Sequence, residues 1–129
     1  MSVALFEDDQ NYLWIGLSGD EWGNNINRRP HFGRVSGGKS TFDREAENRF
    51  GTAGQPERIF FKIDRMGDQY NGFYAYVEKS IDIDQIAWKK LGTVPWIDFN
   101  GKLVLYAVNL RDKAPEVAAE FHSVRIRTQ

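Results

Sequence analysis

The feature that most constrains the fold is a pair of alternating segments joined by a short turn. Apolar side chains take every second position over residues 58–64, and the same period returns over residues 72–79. Gly67 and Asp68 lie between the two segments and are typical turn residues. Because strands joined by a short turn pair antiparallel, this pattern predicts an antiparallel sheet and disfavours a doubly wound parallel one.

Further strand and helix signals lie on both sides of this pair. Asn100-Gly101 predicts a hairpin turn, because both turn positions favour positive φ. Helices are predicted where apolar residues recur about every four positions and a capping side chain precedes them. The strands predicted in addition are 12–17, 94–99, 102–110 and 124–126, and the predicted helices are 42–50, 83–91 and 112–121.

These elements predict an α+β fold in one domain, 1–129, since a chain of 129 residues has the size of a single core. We expect a mainly antiparallel sheet that forms a small, partly closed barrel with about three short helices. The alternative is an open ferredoxin-like sheet with a C-terminal extension.

Composition excludes several classes of function. The chain has no cysteine, so disulfides and thiolate zinc sites are impossible, and its acidic clusters lack the spacing of a calcium loop. The formal charge of −1 is not that of a strongly basic nucleic-acid binder, although it permits a local basic patch. With neither a signal-peptide pattern nor an apolar run of about 20 residues, we expect a cytoplasmic protein with no membrane partner.

One segment matches the phosphate-loop pattern of nucleotide-binding proteins. Residues 33–40 read Gly-Arg-Val-Ser-Gly-Gly-Lys-Ser, with the lysine and hydroxyl that such a loop places on phosphate and magnesium. Residues 27–32, however, do not form the buried strand that should precede it. A glycine-rich loop that leads into a helix cap is therefore the favoured interpretation, and we expect no cofactor.

A weaker pattern lies in the aromatic strand 74–77. Tyr74 and Tyr76 resemble the rings of an RNA-recognition motif, with residues 13–16 as the partner strand. Phe73 stands where that motif has glycine, and Lys79 where it has an aromatic residue. We favour the simpler interpretation that both tyrosines cover a half-buried sheet face.

The segment 18–39 is predicted to be a long loop and is the first place to look for a site. It is rich in glycine, asparagine and arginine, and Trp22 is unusual in such surroundings. His31 also lies there, but the chain has only two histidines and no evident partner for a general base. We therefore predict no catalytic residues, no metal site and no enzyme.

Three parts of the chain resemble the PUA-like barrel modules, especially the EVE type and its YTH relatives. The opening strand of that family and its acidic-aromatic sequel are similar to residues 12–15 and 20–22. Its paired central strands are similar to residues 58–61 and 72–78, and its tryptophan-bearing segment is similar to residues 88–96. The chain departs from the family at residues 55–57, where a Gly-Asp turn is usual, and echoes its Gly-Val-Arg-Asn-like loop only loosely at 33–35.

The resemblance implies a pocket beside the 18–39 loop that recognises a modified or flipped base. Its candidate walls are aromatic, and cationic side chains would contact phosphates. Together with His31, the predicted ligand-binding residues are Trp22, Arg28, Arg29, Lys39, Trp88 and Trp96.

Two functions follow as hypotheses. The first is a non-catalytic binding module that reads a modified base or nucleotide in DNA or RNA. The alternative is a small protein-interaction protein, such as an inhibitor or immunity-type partner of a larger enzyme, for which the near-neutral charge and an exposed Tyr74 and Tyr76 face would suit.

Overall fold

The structure, a computed structural model, describes residues 2–22, 25–45, 58–77, 81–96, 98–106 and 126. Most of these residues lie in strands. In chain order the elements are β1 (Ser2–Asp8), β2 (Asn11–Trp22), β3 (Asn25–Ser36), β4 (Lys39–Glu45), β5 (Arg58–Met66), β6 (Gln69–Val77), a 3-10 turn (Ile83–Gln85), β7 (Lys89–Pro95) and β8 (Lys102–Tyr106).

The strands form two antiparallel sheets. The first sheet has five strands in the order β4-β3-β2-β1-β8, and the second has three in the order β5-β6-β7. Every pairing within them is antiparallel. Most neighbours in a sheet are also neighbours in sequence, as expected where short turns connect the strands.

The core lies between the two sheets. Gly72 of β6 faces the ring of Phe32 of β3 so closely that a Cβ at that position would lie 2.4 Å from the ring. In a sandwich of two sheets, the burial of the apolar side chains between them is the main stabilising contribution. The buried cluster comprises Leu13, Ile15, Phe32, Tyr70, Val94 and Phe99, with Val3, Leu5, Phe61, Ile63, Leu91 and Trp96 packed around it.

The β2–β3 hairpin extends beyond the rest of its sheet. β1 pairs with β2 only as far as Gly16, and β4 pairs with β3 only from His31 onward. The two long strands nevertheless stay paired out to Trp22 and Asn25. The prediction of a loop over residues 18–39 is therefore wrong, since most of this segment is a two-stranded ribbon.

The α+β prediction is wrong, because the described residues contain no α-helix. The start of the predicted helix 42–50 is strand β4, and the predicted helix 83–91 is a single 3-10 turn followed by β7. In both places backbone bonding to a neighbouring strand outweighs an apolar spacing that also suited a helix. The third predicted helix, 112–121, lies outside the described residues, as does residue 46 onward of the first.

Neither predicted architecture is present. A barrel needs its first and last strands to pair, but the first sheet ends on β4 and β8 and the second on β5 and β7. The ferredoxin-like alternative needs helices against one sheet face, and the described elements supply a second sheet instead. Within the described ranges both sheets are open, and neither closes into a barrel.

The two sequence-predicted hairpins have opposite outcomes. The hairpin around Gly67 is confirmed: β5 pairs with β6 and Gly67 has φ +60°. The hairpin at Asn100-Gly101 is wrong, because β7 pairs with β6 whereas β8 pairs with β1. This connection crosses from one sheet to the other, and it is Asp98 that adopts a positive φ of 58°.

Candidate ligand-binding face

Among the described side chains, four rings lie on the face of the first sheet that points away from the core. Successive side chains of a strand point to opposite faces. Since Leu13, Ile15 and Phe32 are in the core, their sequence neighbours occupy the other face. We call this surface the aromatic face; it is formed by Phe6, Tyr12, Trp14 and His31, all half-buried.

The rings of the aromatic face form two stacks. Phe6 and Tyr12 are direct register partners across β1 and β2, with ring centroids 6.0 Å apart and planes 27° from parallel. Trp14 and His31 stack across β2 and β3 at 5.8 Å and 17°. Each stack leaves ring surface partly open to solvent, because all four side chains are only half-buried.

Small residues make room for the indole of Trp14. Its register partners are Ala4 on β1 and Gly33 on β3. Both are buried, Ala4 being 1% exposed. A large ring between two small neighbours can cover their backbone, as aromatic residues do beside glycine in other sheets. This packing positions the indole over the backbone of its two neighbours.

A guanidinium group lies at one end of the aromatic face. Arg29 precedes His31 by two positions on β3, so strand alternation places both on the same face. Arg29 is half-buried. Partly exposed rings beside a cation suit a ligand that is planar and negatively charged.

Two turns lie together at the opposite end of the face, and they explain the phosphate-loop pattern. The backbone N–H of Gly37 donates to Asn11 Oδ1 at 3.2 Å, and that of Gly38 donates to the carbonyl of Gln10 at 2.9 Å. A phosphate loop needs such N–H groups directed at its ligand. Residues 33–40 instead form the end of β3, a turn and the start of β4, with Lys39 exposed.

Trp96 is part of the packing at the edge of the core. Its ring stacks on Phe99 at 4.2 Å, and the guanidinium of Arg34 lies 5.1 Å from the ring centroid. Its backbone N–H donates to the carbonyl of Asp68 at 2.8 Å. These contacts fix the chain where it leaves the second sheet.

Trp88 lies on the far side of the second sheet. Lys62 and its register partner Phe73 point away from the core, because Gly72 points into it. The ammonium of Lys62 lies 4.3 Å from the ring centroid of Phe73 and 5.5 Å from that of Trp88. The structure therefore does not bring Trp88 and Trp96 to one pocket.

The other predicted site residues lie in different parts of the fold. Arg29 and His31 lie together on the aromatic face. Trp22 and Arg28 are in the extended part of the β2–β3 hairpin, and their side chains are outside the described part. Sequence reasoning missed Trp14 as a site residue, although its alternation with the apolar Leu13 and Ile15 was a readable signal.

The tyrosines of β6 do not form an exposed aromatic surface. Tyr74 is 5% exposed, and its ring meets that of Tyr76 edge-on at 5.3 Å. Burial, and secondarily the neighbouring Tyr74, raises the pKa of Tyr76 well above its ordinary value. Because β2 and β6 belong to different sheets, the comparison with an RNA-recognition motif is wrong at these residues.

No protein-family model, no curated protein and no solved structure matches the chain. The PUA-like resemblance therefore stays a prediction as to function, while the barrel that it implied is contradicted. Within the described ranges, no three histidine or acidic side chains are grouped to hold a metal. No helix in that part of the chain is long and apolar enough to cross a membrane.

Proposed function

We propose that this protein is a non-catalytic nucleic-acid reader whose aromatic face stacks on the bases of a single strand, modified or unmodified. The observation that carries the proposal is the pair of half-buried ring stacks beside Arg29 on one sheet face. The proposed binding surface is the aromatic face and not a pocket lined by Trp88 and Trp96.

Rings on a sheet surface have the geometry that base stacking needs. Stacking of a base on an aromatic side chain contributes about 1–3 kcal/mol and tolerates any sequence. Sheet faces with exposed rings serve RNA-binding modules in this way. Stacking and charge break no covalent bond, so the chemistry of the face fits binding and not catalysis.

The spacing of the stacks favours a single strand over a duplex. Tyr12 and Trp14 are two residues apart on β2, which corresponds to about 6.8 Å along the strand. Bases that remain stacked in a duplex are about 3.4 Å apart. Two neighbouring bases can therefore meet the two stacks only when they are unstacked from each other.

The few cations on the aromatic face predict that the affinity for a nucleic acid depends only modestly on salt concentration. Each phosphate that a cation neutralises adds about 0.7 to the salt slope of single-strand binding. Arg29 and the exposed Lys102, which lies opposite Phe6, are cations on the described face, and Arg28 precedes Arg29 on the same strand. With a formal net charge of −1 for the whole chain, we expect affinity to come mainly from the rings.

The test is titration of labelled single-stranded DNA and RNA oligonucleotides, with and without base modification, at low salt. We expect Trp14→Ala to weaken binding roughly 5- to 150-fold, the equivalent of one lost stacking contact. Met66→Ala is the matched control, since Met66 is 69% exposed on the other sheet. If the native protein binds none of these oligonucleotides, or if Trp14→Ala binds as tightly as the native chain, the proposal fails.

The alternative function, an inhibitor or immunity-type partner of a larger enzyme, has lost one of its supports. It relied in part on an exposed Tyr74 and Tyr76 face, and Tyr74 is buried. Failure of every oligonucleotide to bind, with a protein recovered in its place, would favour this alternative.

A further inference from the structure

Among the strands that the structure describes, the two sheets have four edges, and three of these edge strands carry residues that discourage pairing with another chain. Charged side chains and proline on an edge are common protections against such pairing. β4 has Lys39, Asp43, Arg44 and Glu45; β5 has Arg58, Lys62, Asp64 and Arg65; β7 has Lys89, Lys90 and Pro95.

The fourth edge strand, β8, lacks this protection. Its sequence is Lys-Leu-Val-Leu-Tyr, so a single charge at Lys102 precedes four uncharged residues. Leu103, Val104 and Leu105 are 38%, 37% and 37% exposed. Because consecutive residues point to opposite faces, similar exposure of all three means that neither side of the strand is well covered.

β8 is bonded on one side only within the described residues. Its register with β1 runs from Ser2 opposite Tyr106 to Phe6 opposite Lys102. It ends the strand order of the first sheet. A strand in this position presents backbone N–H and C=O groups as a template for one more strand.

We propose that β8 pairs antiparallel with β8 of a second copy of this chain, about a two-fold axis at Val104. Such an interface is isologous, because the same strand serves both subunits. It joins two five-stranded sheets into one continuous sheet of ten strands.

Charge favours a second copy as the occupant. In the two-fold register Val104 opposes itself, Leu103 opposes Leu105, and Lys102 opposes Tyr106, so no like charges meet across the pair. The formal net charge of −1 means that two copies repel each other only weakly. Residues 103–106 also offer no charge with which to select a different protein.

The dimer does not depend on the proposed function. Val104, Ala4 and Trp14 are register neighbours across β8, β1 and β2. Pairing through β8 would therefore place two aromatic faces on the same side of one sheet, where a single long strand could reach both.

Sedimentation equilibrium of the full chain tests the proposal. We expect the native protein to be a dimer and Val104→Lys to be a monomer, since two ammonium groups would oppose each other at the axis. Met66→Lys adds the same charge at an exposed apolar position on the second sheet and should remain dimeric. A monomeric native protein over the micromolar to millimolar range overturns the proposal, as does a Val104→Lys variant that stays dimeric.

A second variant decides the matter if Val104→Lys does not fold. The chain has no cysteine, so Val104→Cys introduces a single thiol. Opposed residues of antiparallel strands have Cβ atoms about 4.5–5.5 Å apart, and the shorter of these distances suits a disulfide. We expect Val104→Cys to form a covalent dimer under mild oxidation and Met66→Cys to form none; failure of Val104→Cys to cross-link would overturn the two-fold pairing.

Discussion

At the scale of single residues, Gly72 shows how the absence of a side chain sets the distance between the sheets. A Cβ at this position would lie 2.4, 2.6 and 2.7 Å from three ring atoms of Phe32. Phe32 is fully buried and has neighbours on all sides. Its ring cannot move aside without disturbing the core, because protein interiors are close-packed.

Gly72→Ala should therefore lower the free energy of unfolding by about 1–3 kcal/mol, the usual cost of overpacking a core. Urea unfolding followed by tryptophan fluorescence measures the change. Gly67→Asn is the control: that position has φ +60° and nothing within 4 Å of an added Cβ, and asparagine tolerates such a backbone. An unchanged unfolding midpoint for Gly72→Ala would contradict the close approach of the two sheets.

At the scale of elements, the turn between β1 and β2 is organised by one carboxylate. Asp8 accepts hydrogen bonds from the Asn11 side chain at 3.0 Å and from the Gln10 backbone N–H at 2.8 Å. Asn11 in turn accepts from the Gly37 N–H of the β3–β4 turn. The hydrogen bond from Asn11, followed by that from Gln10, holds the pKa of Asp8 below its ordinary value.

A lowered carboxyl pKa means that Asp8 stabilises the fold above its unfolded pKa of about 3.9, and that this contribution is lost as pH falls through the folded value. We expect Asp8→Asn to be less stable than the native chain at pH 7. The difference should shrink on acidification below about pH 4. Urea midpoints of both proteins over this range measure it, and a gap that stays constant with pH would refute the role of the charge.

At the scale of the whole molecule, one arginine connects the two sheets. Arg34 lies on β3 of the first sheet, and its Nη1 donates to the carbonyl of Pro95, at the end of β7 in the second, at 2.5 Å. Its guanidinium also lies over the ring of Trp96. Hydrogen bonds from a charged donor contribute more to stability than neutral ones.

Arg34→Met should lower the free energy of unfolding by about 1.5–3 kcal/mol, because the charged hydrogen bond is lost and the Pro95 carbonyl loses this donor. Lys62→Met is the matched control. It removes a cation that lies over the ring of Phe73 within the second sheet. It also removes an ion pair with Asp64 that is half-exposed and contributes about 1 kcal/mol at most to stability. Chemical denaturation of the three proteins compares them. Equal losses in both variants would show that Arg34 does not link the sheets.

Local patterns in the sequence were sufficient for the β5–β6 hairpin. Period-two alternation and the turn at Gly67-Asp68 are properties of adjacent residues, so no knowledge of the rest of the chain was needed. The same holds for the strand predicted over residues 12–17, which lies within β2. The helices predicted to begin at residues 42 and 83 were wrong, because their apolar spacing suited a strand as well as a helix.

Tertiary contacts decided between those alternatives. Phe42 is opposite Arg34 and Lys89 is opposite Tyr74, so both segments gain backbone hydrogen bonds that only a neighbouring strand can supply. Likewise Asn100-Gly101 has the composition of a hairpin, yet its flanking strands found partners in different sheets. Local propensity is worth less than a full ladder of such bonds.

For the candidate site, too, some residues were accessible from the sequence and others only from the fold. Arg29 and His31 were already candidates from the sequence, because they lie in an arginine- and glycine-rich segment with few apolar residues. Only the tertiary structure placed His31 on Trp14 and Phe6 on Tyr12, since each stack depends on the register between two strands. Register is set by contacts between distant parts of the chain, and a shift of one residue would have turned these rings into the core.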